Sequence, residues 1–218
     1  NNIKPISIGF EFGTVSAFIN KYRFDITTLR SEISFEGRNP KVIFTKDWNV
    51  DAKRRDFTIN AIYLNFAGNI FDPLTGRDNL LNGEVKFIGK PSDRIKEDPL
   101  RIFRYFRFLG KYSKSAPDID SLLACSKSSI LISKLSKNRI TTEFFEILKI
   151  PNPMYAIDLM IESGVLQQFF PQASRPDRLE FLYNLESSAG IHPDYILRLV
   201  SLIHVPEKGK QIIIKKLK

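Results

Sequence analysis

The stretch Glu97-Asp98-Pro99-Leu100-Arg101-Ile102-Phe103-Arg104-Tyr105-Phe106-Arg107 decides the fold, because it combines a helical apolar pattern with a row of arginines. At about 100° per residue, the apolar arc of this helix holds Ile102, Phe103, Phe106 and Leu109. The opposite arc holds Asp98, Arg101, Arg104 and Arg107. Tyr105 and Phe108 lie among the arginines, so the polar arc is predicted to meet something flat or anionic; a solvated basic face is the alternative.

Upstream of this stretch, strand signals dominate. Residues 6–29 alternate in polarity and predict a small β region, residues 30–41 predict a loop, and residues 41–44 predict a further short strand. Asp47 or Asn49 is suited to cap a helix from Asp51 to about Ala61. The sequence then predicts a β-hairpin around Ala67-Gly68, a short helical piece and a last strand, over residues 62–71, 78–81 and 85–88.

Downstream of residue 91, helical periodicity replaces the strand signals. The predicted helices span about 91–112, 119–126, 137–149, 153–163, 176–187 and 193–204. The expected fold class is therefore α+β, in which a strand-rich part precedes a helical part.

Composition limits the classes of function. The chain has 218 residues and a formal charge of +9, which predicts a polyanionic partner, with a merely basic protein as the alternative. Cys125 is the only cysteine, and His192 and His204 lie far from it, which excludes an internal disulfide and a cysteine-based zinc site. Since the sequence has neither a run of about 18 apolar residues nor a signal-peptide pattern, we expect a cytoplasmic protein outside the membrane.

Two groups of polar residues have the chemistry to bind a nucleotide. Arg54-Arg55-Asp56 with Asn60 places two cations, a carboxylate and an amide within two predicted helical turns, and arginine forks suit phosphate. A surface ion-pair cluster is the alternative. Asp98 and Arg101 offer an acceptor and a forked donor on adjacent turns, the set needed to read the Watson–Crick edge of a base. A salt bridge within the helix is the alternative here.

Three segments, in this order and at these spacings, resemble successive motifs of the class II tRNA nucleotidyltransferase (CCA-adding enzyme) and bacterial poly(A) polymerase family. They are Arg54 to Ala61, Asp72 to Leu80 and Arg94 to Phe108. Further segments resemble the family's head strands (13–15 and 24–30), neck helix (136–143) and helical body (153–171). The resemblance implies a truncated nucleotidyltransferase head in residues 1–90, a helical neck with the nucleotide template helix in 91–150, and a partial helical body in 151–218.

The resemblance also implies which residues bind the nucleotide. Arg55 would bind the phosphates or sugar of the incoming nucleotide, with Asp56 beside it near the ribose. Asp98 and Arg101 would form the amino-acid template that pairs with cytosine or adenine. Segment 72–80 would be the flexible element that lets the template change between CTP and ATP.

Supporting roles are implied for other residues of the same motifs. Arg104 and Arg107 would contact phosphate or support the template, and Arg139 of the neck helix is a candidate for RNA binding. Tyr105 and Phe108 are then expected to pack at the junction of head and helical body, instead of stacking on RNA.

One part of the family pattern has no match in the sequence. The family's first motif, a Gly-Gly element followed by an Asp-x-Asp strand, is expected before the strand at Ile6 to Phe10, where only a few residues stand. Two carboxylates on one strand hold Mg²⁺ in this chemistry. Asp25 and Glu11 are assisting candidates, but neither replaces that pair. The catalytic residues are therefore unknown, and no metal ligand is assigned.

The expected function is part of a template-independent RNA nucleotidyltransferase that adds CMP and AMP, as CCA, to tRNA 3′ ends. Mg²⁺ is the expected cofactor, and tRNA, CTP and ATP are the expected partners. Activity would need the missing N-terminal metal-binding piece, and a separate chain is one form in which it could be supplied. The alternatives are a catalytically inactive fragment that binds tRNA or nucleotide, and poly(A) polymerase activity, so whether this chain is itself an enzyme stays open.

Overall fold

A computed structural model describes residues 5–6, 13–20, 22–36 and 39–203 of the chain. The chain divides into two compact units. The first unit comprises Asn1–Arg55 and Asn60–Leu74, and the second comprises Asp56–Ile59 and Thr75–Lys218. Antiparallel strands occur in the first unit and helices prevail in the second, so the predicted α+β class is confirmed.

Short antiparallel sheets form most of the first unit. A three-stranded sheet has the order β1 (Pro5–Ile6), β2 (Thr14–Ile19) and β3 (Tyr22–Thr27). Two separate strand pairs follow, β4 (Arg30–Glu36) with β5 (Asn39–Phe44) and β6 (Tyr63–Leu64) with β7 (Ile70–Phe71). In the first sheet Val15 lies opposite Ile26. The predicted β region is confirmed where it is described, in β2 and β3, whereas residues 7–12, which hold most of the predicted strand from Ile6 to Phe10, lie outside the described residues. The predicted hairpin around Ala67-Gly68 is confirmed by the pairing of β6 with β7.

The segment 30–36, predicted to be a loop, is instead strand β4. It pairs antiparallel with β5, with Arg30 opposite Phe44. Its sequence does alternate, because Ile33 and Phe35 are separated by a polar residue, and this is the period of a strand. The charged residues Arg30, Glu32 and Glu36 lower the hydrophobicity of the segment, which is why it was predicted to be a loop.

Helix α1 (Trp48–Arg54) is capped by Asp47, one of the two predicted cap residues, but it ends earlier than predicted. The Asp47 side chain accepts a hydrogen bond from the Asn49 N–H at 2.8 Å and so caps the helix. Arg55 is already extended, with φ −68° and ψ 164°. The prediction of a helix to Ala61 is wrong because hydrogen bonds with residues 86–88 hold residues 56–58 in another conformation. A 3₁₀ turn over Thr58–Asn60 follows.

Nine α-helices lie in the described part of the second unit. They are α2 (Gly76–Asn82), α3 (Pro91–Glu97), α4 (Arg101–Tyr112), α5 (Ile119–Lys127), α6 (Lys137–Leu148), α7 (Met154–Glu162), α8 (Val165–Phe169), α9 (Pro176–Ala189) and α10 (Tyr195–Leu202). The predicted strand at 85–88 is wrong: only an isolated bridge between Phe57 and Phe87 forms there. None of the helices among the described residues is long and apolar enough to cross a lipid bilayer.

Helix α4 packs against α6 and α7 and supplies much of the core of the second unit. Its apolar arc is buried as predicted, with Ile102, Phe103 and Phe106 all fully buried. Tyr105 and Phe108 are also buried, and both rings pack against Phe57. The interpretation of these two aromatics as packing residues is therefore confirmed.

The predicted single helix over 91–112 is two helices with a break at residues 98–100. Asp98 is extended, with φ −148° and ψ 103°, and ends α3. The ring of Pro99 disfavours helical geometry in the residue before it, which explains the break. Asp98 is therefore not on the same helix as Arg101, which is the first residue of α4.

A buried cation ties together the end of the described helical region. Arg198 of α10 is 1% exposed, and its Nε donates a hydrogen bond to Oε2 of Glu186 at 2.8 Å. Its remaining nitrogens donate to the carbonyl oxygens of Leu148, Ile150 and Pro151. One side chain thereby fixes α10 to α9 and to the end of α6.

Candidate functional site

Asp98, the predicted acceptor of the base-reading pair, is held in place by contacts from two sides. Its Oδ1 accepts a hydrogen bond from the Leu100 N–H at 3.1 Å. Its Oδ2 accepts one from Nη2 of Arg139 at 2.8 Å, across 41 residues of sequence. The Asp98 side chain is 31% exposed, so it remains within reach of a ligand. Arg139, the candidate for RNA binding, is therefore an ion-pair partner of Asp98.

Arg101, the predicted donor of that pair, is buried and anchored to the preceding helix. Its Nη1 donates to Oε2 of Glu97 and, at 2.8 Å, to the carbonyl oxygen of Arg94. The Arg94 guanidinium binds the same Oε2 atom. Glu97 thus holds two arginines: Arg94, three residues before it on α3, where helical spacing predicts a pair, and Arg101, which lies beyond the break at the start of α4.

Arg104 and Arg107 both meet carboxylates. The Nε of Arg104 donates to Oδ2 of Asp56 at 2.6 Å, and its Nη1 lies 3.6 Å from Oε1 of Glu143. The Nε of Arg107 lies 3.1 Å from Oε2 of Glu143, as an ion pair without a well-aligned hydrogen bond. Asp56 is buried and also accepts from the Phe57 N–H at 2.9 Å. Asp56 and Glu143 therefore fix the arginine row of α4 from two sides.

Arg55 belongs to a second cluster, which is centred on Asp51 in the first unit. The Nε and Nη2 of Arg55 donate to Oδ2 of Asp51 at 3.1 and 3.0 Å, and Nη1 donates to the Asn60 carbonyl at 2.9 Å. Arg54 donates to Oδ1 of Asp51 at 2.8 Å, and the Tyr63 hydroxyl donates to Oδ2 at 2.9 Å. Sequence reasoning missed Asp51, although its spacing of three and four residues from the two arginines was a visible signal.

The charges of this cluster shift two pKa values. Burial alone would raise the pKa of Asp51, but hydrogen bonds from Arg54, Tyr63 and Arg55, with the Arg54 charge, outweigh it and lower that pKa. Burial, together with the hydrogen bond to Asp51, raises the pKa of Tyr63 to about 12. The carboxylate of Asp51 is therefore charged and the Tyr63 phenol is neutral near pH 7.

The segment 72–80, interpreted as a flexible element, contains the start of α2. Thr75 lies in the left-handed region at φ 54° and ψ 29°, which is unusual for a β-branched residue. The side-chain oxygen of Asn79 accepts from the Thr58 hydroxyl at 2.8 Å, and its amide donates to Glu84 at 2.8 Å. The described contacts therefore tie α2 to residues on both sides of it in sequence.

The described residues do not fit a Mg²⁺ site. Among them, no group of three or more His, Cys, Asp and Glu side chains is arranged to hold a metal. Asp25 accepts hydrogen bonds from the Ser16 hydroxyl at 2.6 Å and from Nε of Arg23 at 2.7 Å, and these two bonds lower its pKa. Its carboxylate is thus already engaged by a cation. Glu11, the other assisting candidate, lies outside the described residues.

Two parts of the chain match known protein families. Residues 1–86 match the family described as Poly A polymerase head domain. Residues 117–175 match the family described as Probable RNA and SrmB- binding site of polymerase A.

Individual proteins are similar over most of the chain. The mitochondrial CCA tRNA nucleotidyltransferase 1 of Mus musculus is 35% identical over 201 residues, which are 91% of this chain and 46% of that protein. The Bacillus stearothermophilus CCA-adding enzyme, solved in complex with CTP, is 31% identical with a TM-score of 0.66 over 74% of this chain and 39% of that chain. The Thermotoga maritima CCA-adding enzyme, complexed with tRNA-CCA, is 20% identical with a TM-score of 0.71.

The Thermotoga likeness covers 99% of this chain and 52% of that chain, and at its identity it supports the fold alone. The chain spans about half the length of the curated relatives it matches.

Proposed function

Because the chain belongs to the family of CCA-adding tRNA nucleotidyltransferases and poly(A) polymerases, we propose that it forms part of an enzyme that adds CMP and AMP to tRNA 3′ ends. The observation that carries this proposal is the anchoring of the base-reading pair. Arg139 fixes the Asp98 carboxylate and Glu97 fixes the Arg101 guanidinium. A fixed acceptor and a fixed forked donor are what recognition of a base edge needs.

The other residues of the motifs are given roles that agree with their contacts. Arg55 is proposed to bind the phosphates or sugar of CTP or ATP, and Asp56 to lie near the ribose. For Arg104 and Arg107, the contacts with Asp56 and Glu143 favour support of the template over direct binding of phosphate. Segment 72–80 is proposed to change shape when the template changes between the two nucleotides.

The proposed reaction is an in-line displacement at the α-phosphate of the nucleotide. The 3′-hydroxyl oxygen of the tRNA forms a bond to the α-phosphorus as the bond to the bridging β-phosphate oxygen breaks. Pyrophosphate leaves, and the hydroxyl proton passes to a base outside the described residues. Mg²⁺ and its ligands are likewise proposed to lie outside the described residues, in the same polypeptide or in a separate N-terminal piece. The division into head, neck and partial body at residues 90 and 150 remains part of this proposal.

Nucleotide incorporation tests the enzyme proposal directly. The chain is incubated with Mg²⁺, labelled CTP or ATP and a tRNA transcript that lacks its terminal CCA. A second reaction also contains the protein encoded immediately upstream. We expect labelled tRNA in at least one of the two reactions. The length and base composition of the added tail then separate CCA addition, addition of the final A alone and poly(A) synthesis.

A catalytically inactive fragment that binds tRNA or nucleotide is the second candidate function. It is favoured by one observation, the formal net charge of +9, which suits binding of a polyanion such as tRNA without requiring catalysis. Absence of incorporation in both reactions, together with a tRNA complex that weakens as salt rises, would support this function and contradict the first.

A further inference from the structure

Asp51 is a completely buried carboxylate that has no role in the proposed reaction as described above. Its side chain is 1% exposed, while the Arg54 and Arg55 side chains that it binds are 16% and 34% exposed. An isolated buried charge is costly, so a carboxylate at such a position needs cations and hydrogen-bond donors around it. The two arginines, the Tyr63 hydroxyl and the Arg30 N–H supply them.

Three groups hold the Arg55 guanidinium: the Asp51 carboxylate, the Asn60 carbonyl and the Tyr63 ring. Asp51 binds one edge through Nε and Nη2, and the Asn60 carbonyl binds Nη1. The ring of Tyr63 lies 4.9 Å from the central carbon of the guanidinium, at the distance of a cation–π contact. The Tyr63 hydroxyl binds Asp51 in turn, so ring and carboxylate form one connected support.

Such a support matters because an unrestrained arginine side chain is costly to immobilise. Each rotamer-rich side chain that a ligand orders on binding weakens the complex. An arginine already held at its edge and over its face avoids much of that loss. Of the two arginines bound to Asp51, Arg55 is the one whose side chain is more accessible.

We propose that Asp51 is a positioning residue that orients Arg55 for the phosphates or sugar of the incoming nucleotide, with Tyr63 as its second support. This inference rests on the proposed role of Arg55 in nucleotide binding. It predicts that loss of the Asp51 charge weakens CTP and ATP equally, because Asp51 acts on a part of the nucleotide that both share.

The test compares Asp51→Asn with Asp47→Asn in the full chain. Asp51→Asn keeps the size of the side chain and removes its charge. Asp47→Asn makes the same chemical change at the start of the same helix, where asparagine is an equally good cap. The first measurement is the NMR signal of the Arg55 Nε–H, assigned by its loss in Arg55→Lys. We expect this signal to be protected from solvent exchange in wild type and Asp47→Asn, and to lose its protection in Asp51→Asn.

The second measurement is the equilibrium affinity for CTP and for ATP, each titrated at a temperature where all variants are folded. We expect Asp51→Asn to weaken both by about tenfold, as loss of a charge-assisted hydrogen bond does, and Asp47→Asn to leave both unchanged. In an Arg55→Lys background, adding Asp51→Asn should weaken the two affinities little further. If Asp51→Asn does not fold, Tyr63→Phe is the milder variant, which should weaken both affinities by a smaller factor.

The outcomes separate this inference from the proposed function. An unchanged Arg55 signal with unchanged affinities in Asp51→Asn overturns the inference. A loss of affinity that is just as large in the Arg55→Lys background also overturns it, because Asp51 would then act on the fold and not through Arg55. A wild-type chain that binds neither nucleotide, alone or with the protein encoded immediately upstream, overturns the proposed function, while the exchange measurement still decides whether Asp51 orders Arg55.

Discussion

Asp98 is anchored through both of its carboxylate oxygens, and Arg101 through one nitrogen of its guanidinium. A residue pair that reads a base edge contributes mainly to the difference between bases. We therefore expect Asp98→Ala and Arg101→Ala to change the ratio of CTP to ATP affinity by about tenfold or more, with little effect on tRNA affinity. Competition between the two nucleotides, measured by binding or by incorporation, gives the ratio.

The control for these variants is Asp120→Ala, which removes an exposed carboxylate from the first turn of α5. It should leave the ratio unchanged. Equal weakening of CTP and ATP by Asp98→Ala, with the ratio as in wild type, would count against the template role.

Tyr63 gives the first unit a dependence on alkaline pH. Its pKa is about 12 in the fold, against 10.0 ordinarily, because burial and the bond to Asp51 favour the neutral phenol. The unfolded phenol ionises first as pH rises, so the resulting stability is complete below pH 10 and is lost as pH rises towards 12. In Tyr63→Phe, the urea unfolding free energy should be lower at pH 8 by about 1 kcal/mol and should fall less between pH 10 and 11. An identical pH slope in the two proteins would contradict this account.

At the scale of the elements, Glu143 joins helix α6 to the arginine row of α4. Its Oε2 lies 3.1 Å from Nε of Arg107 and its Oε1 lies 3.6 Å from Nη1 of Arg104, and its side chain is 13% exposed. Glu143→Gln leaves two cations without their shared charge partner, and we expect it to lower the unfolding free energy by about 1–3 kcal/mol. Denaturant unfolding measures this change.

Glu146→Gln is the matched control for that variant. Glu146 lies one turn further along the same helix, and its described ion pair is a solvent-exposed one with Lys149. Exposed pairs of this kind contribute little, so a loss as large as that of Glu143→Gln would show that the charge of α6 matters and not the contact with α4.

Sequence periodicity predicted the elements whose burial follows one helix face, and it failed where tertiary contacts decide. The apolar arc of α4 was readable because each of its residues meets the same core. The helix predicted over 51–61 is cut short by hydrogen bonds with residues 86–88, which local spacing cannot foresee. The break at Asp98 is signalled by Pro99, but the apolar spacing on both sides of it is also compatible with one continuous helix.

The candidate site divides in the same way. The three motifs identified the family, which the comparisons confirm, and they named Arg55, Asp98 and Arg101 as candidates. The side chains that hold these candidates and their neighbour Asp51 in place could not be predicted from one sequence when they lie far away along the chain. Arg139 lies 41 residues from Asp98, and Tyr63 lies 12 residues from Asp51. Asp51 itself was missed because an aspartate beside arginines on a helix is usually a surface pair.

At the scale of the whole molecule, the net charge of +9 should govern the proposed binding of tRNA. Neutralising phosphates releases counterions, so a plot of log affinity against log salt should fall steeply and linearly. We expect tRNA binding to weaken by at least about tenfold between roughly 50 and 200 mM salt. Filter binding or fluorescence anisotropy with a tRNA that lacks CCA measures this slope. An affinity that does not change with salt would exclude a charge-driven complex.

The interleaved course of the chain has a consequence for how the protein emerges from a ribosome. The short segment Asp56–Ile59 belongs to the second unit although it is made in the middle of the first. Phe57 is fully buried, and its ring packs against Phe87, Tyr105 and Phe108. During synthesis those partners follow the last residue of the first unit, Leu74. When synthesis has reached the end of the first unit, the Phe57 ring therefore still lacks the rings that bury it. Until α4 has been made, we expect this exposed ring to be a binding site for a chaperone that recognises apolar segments.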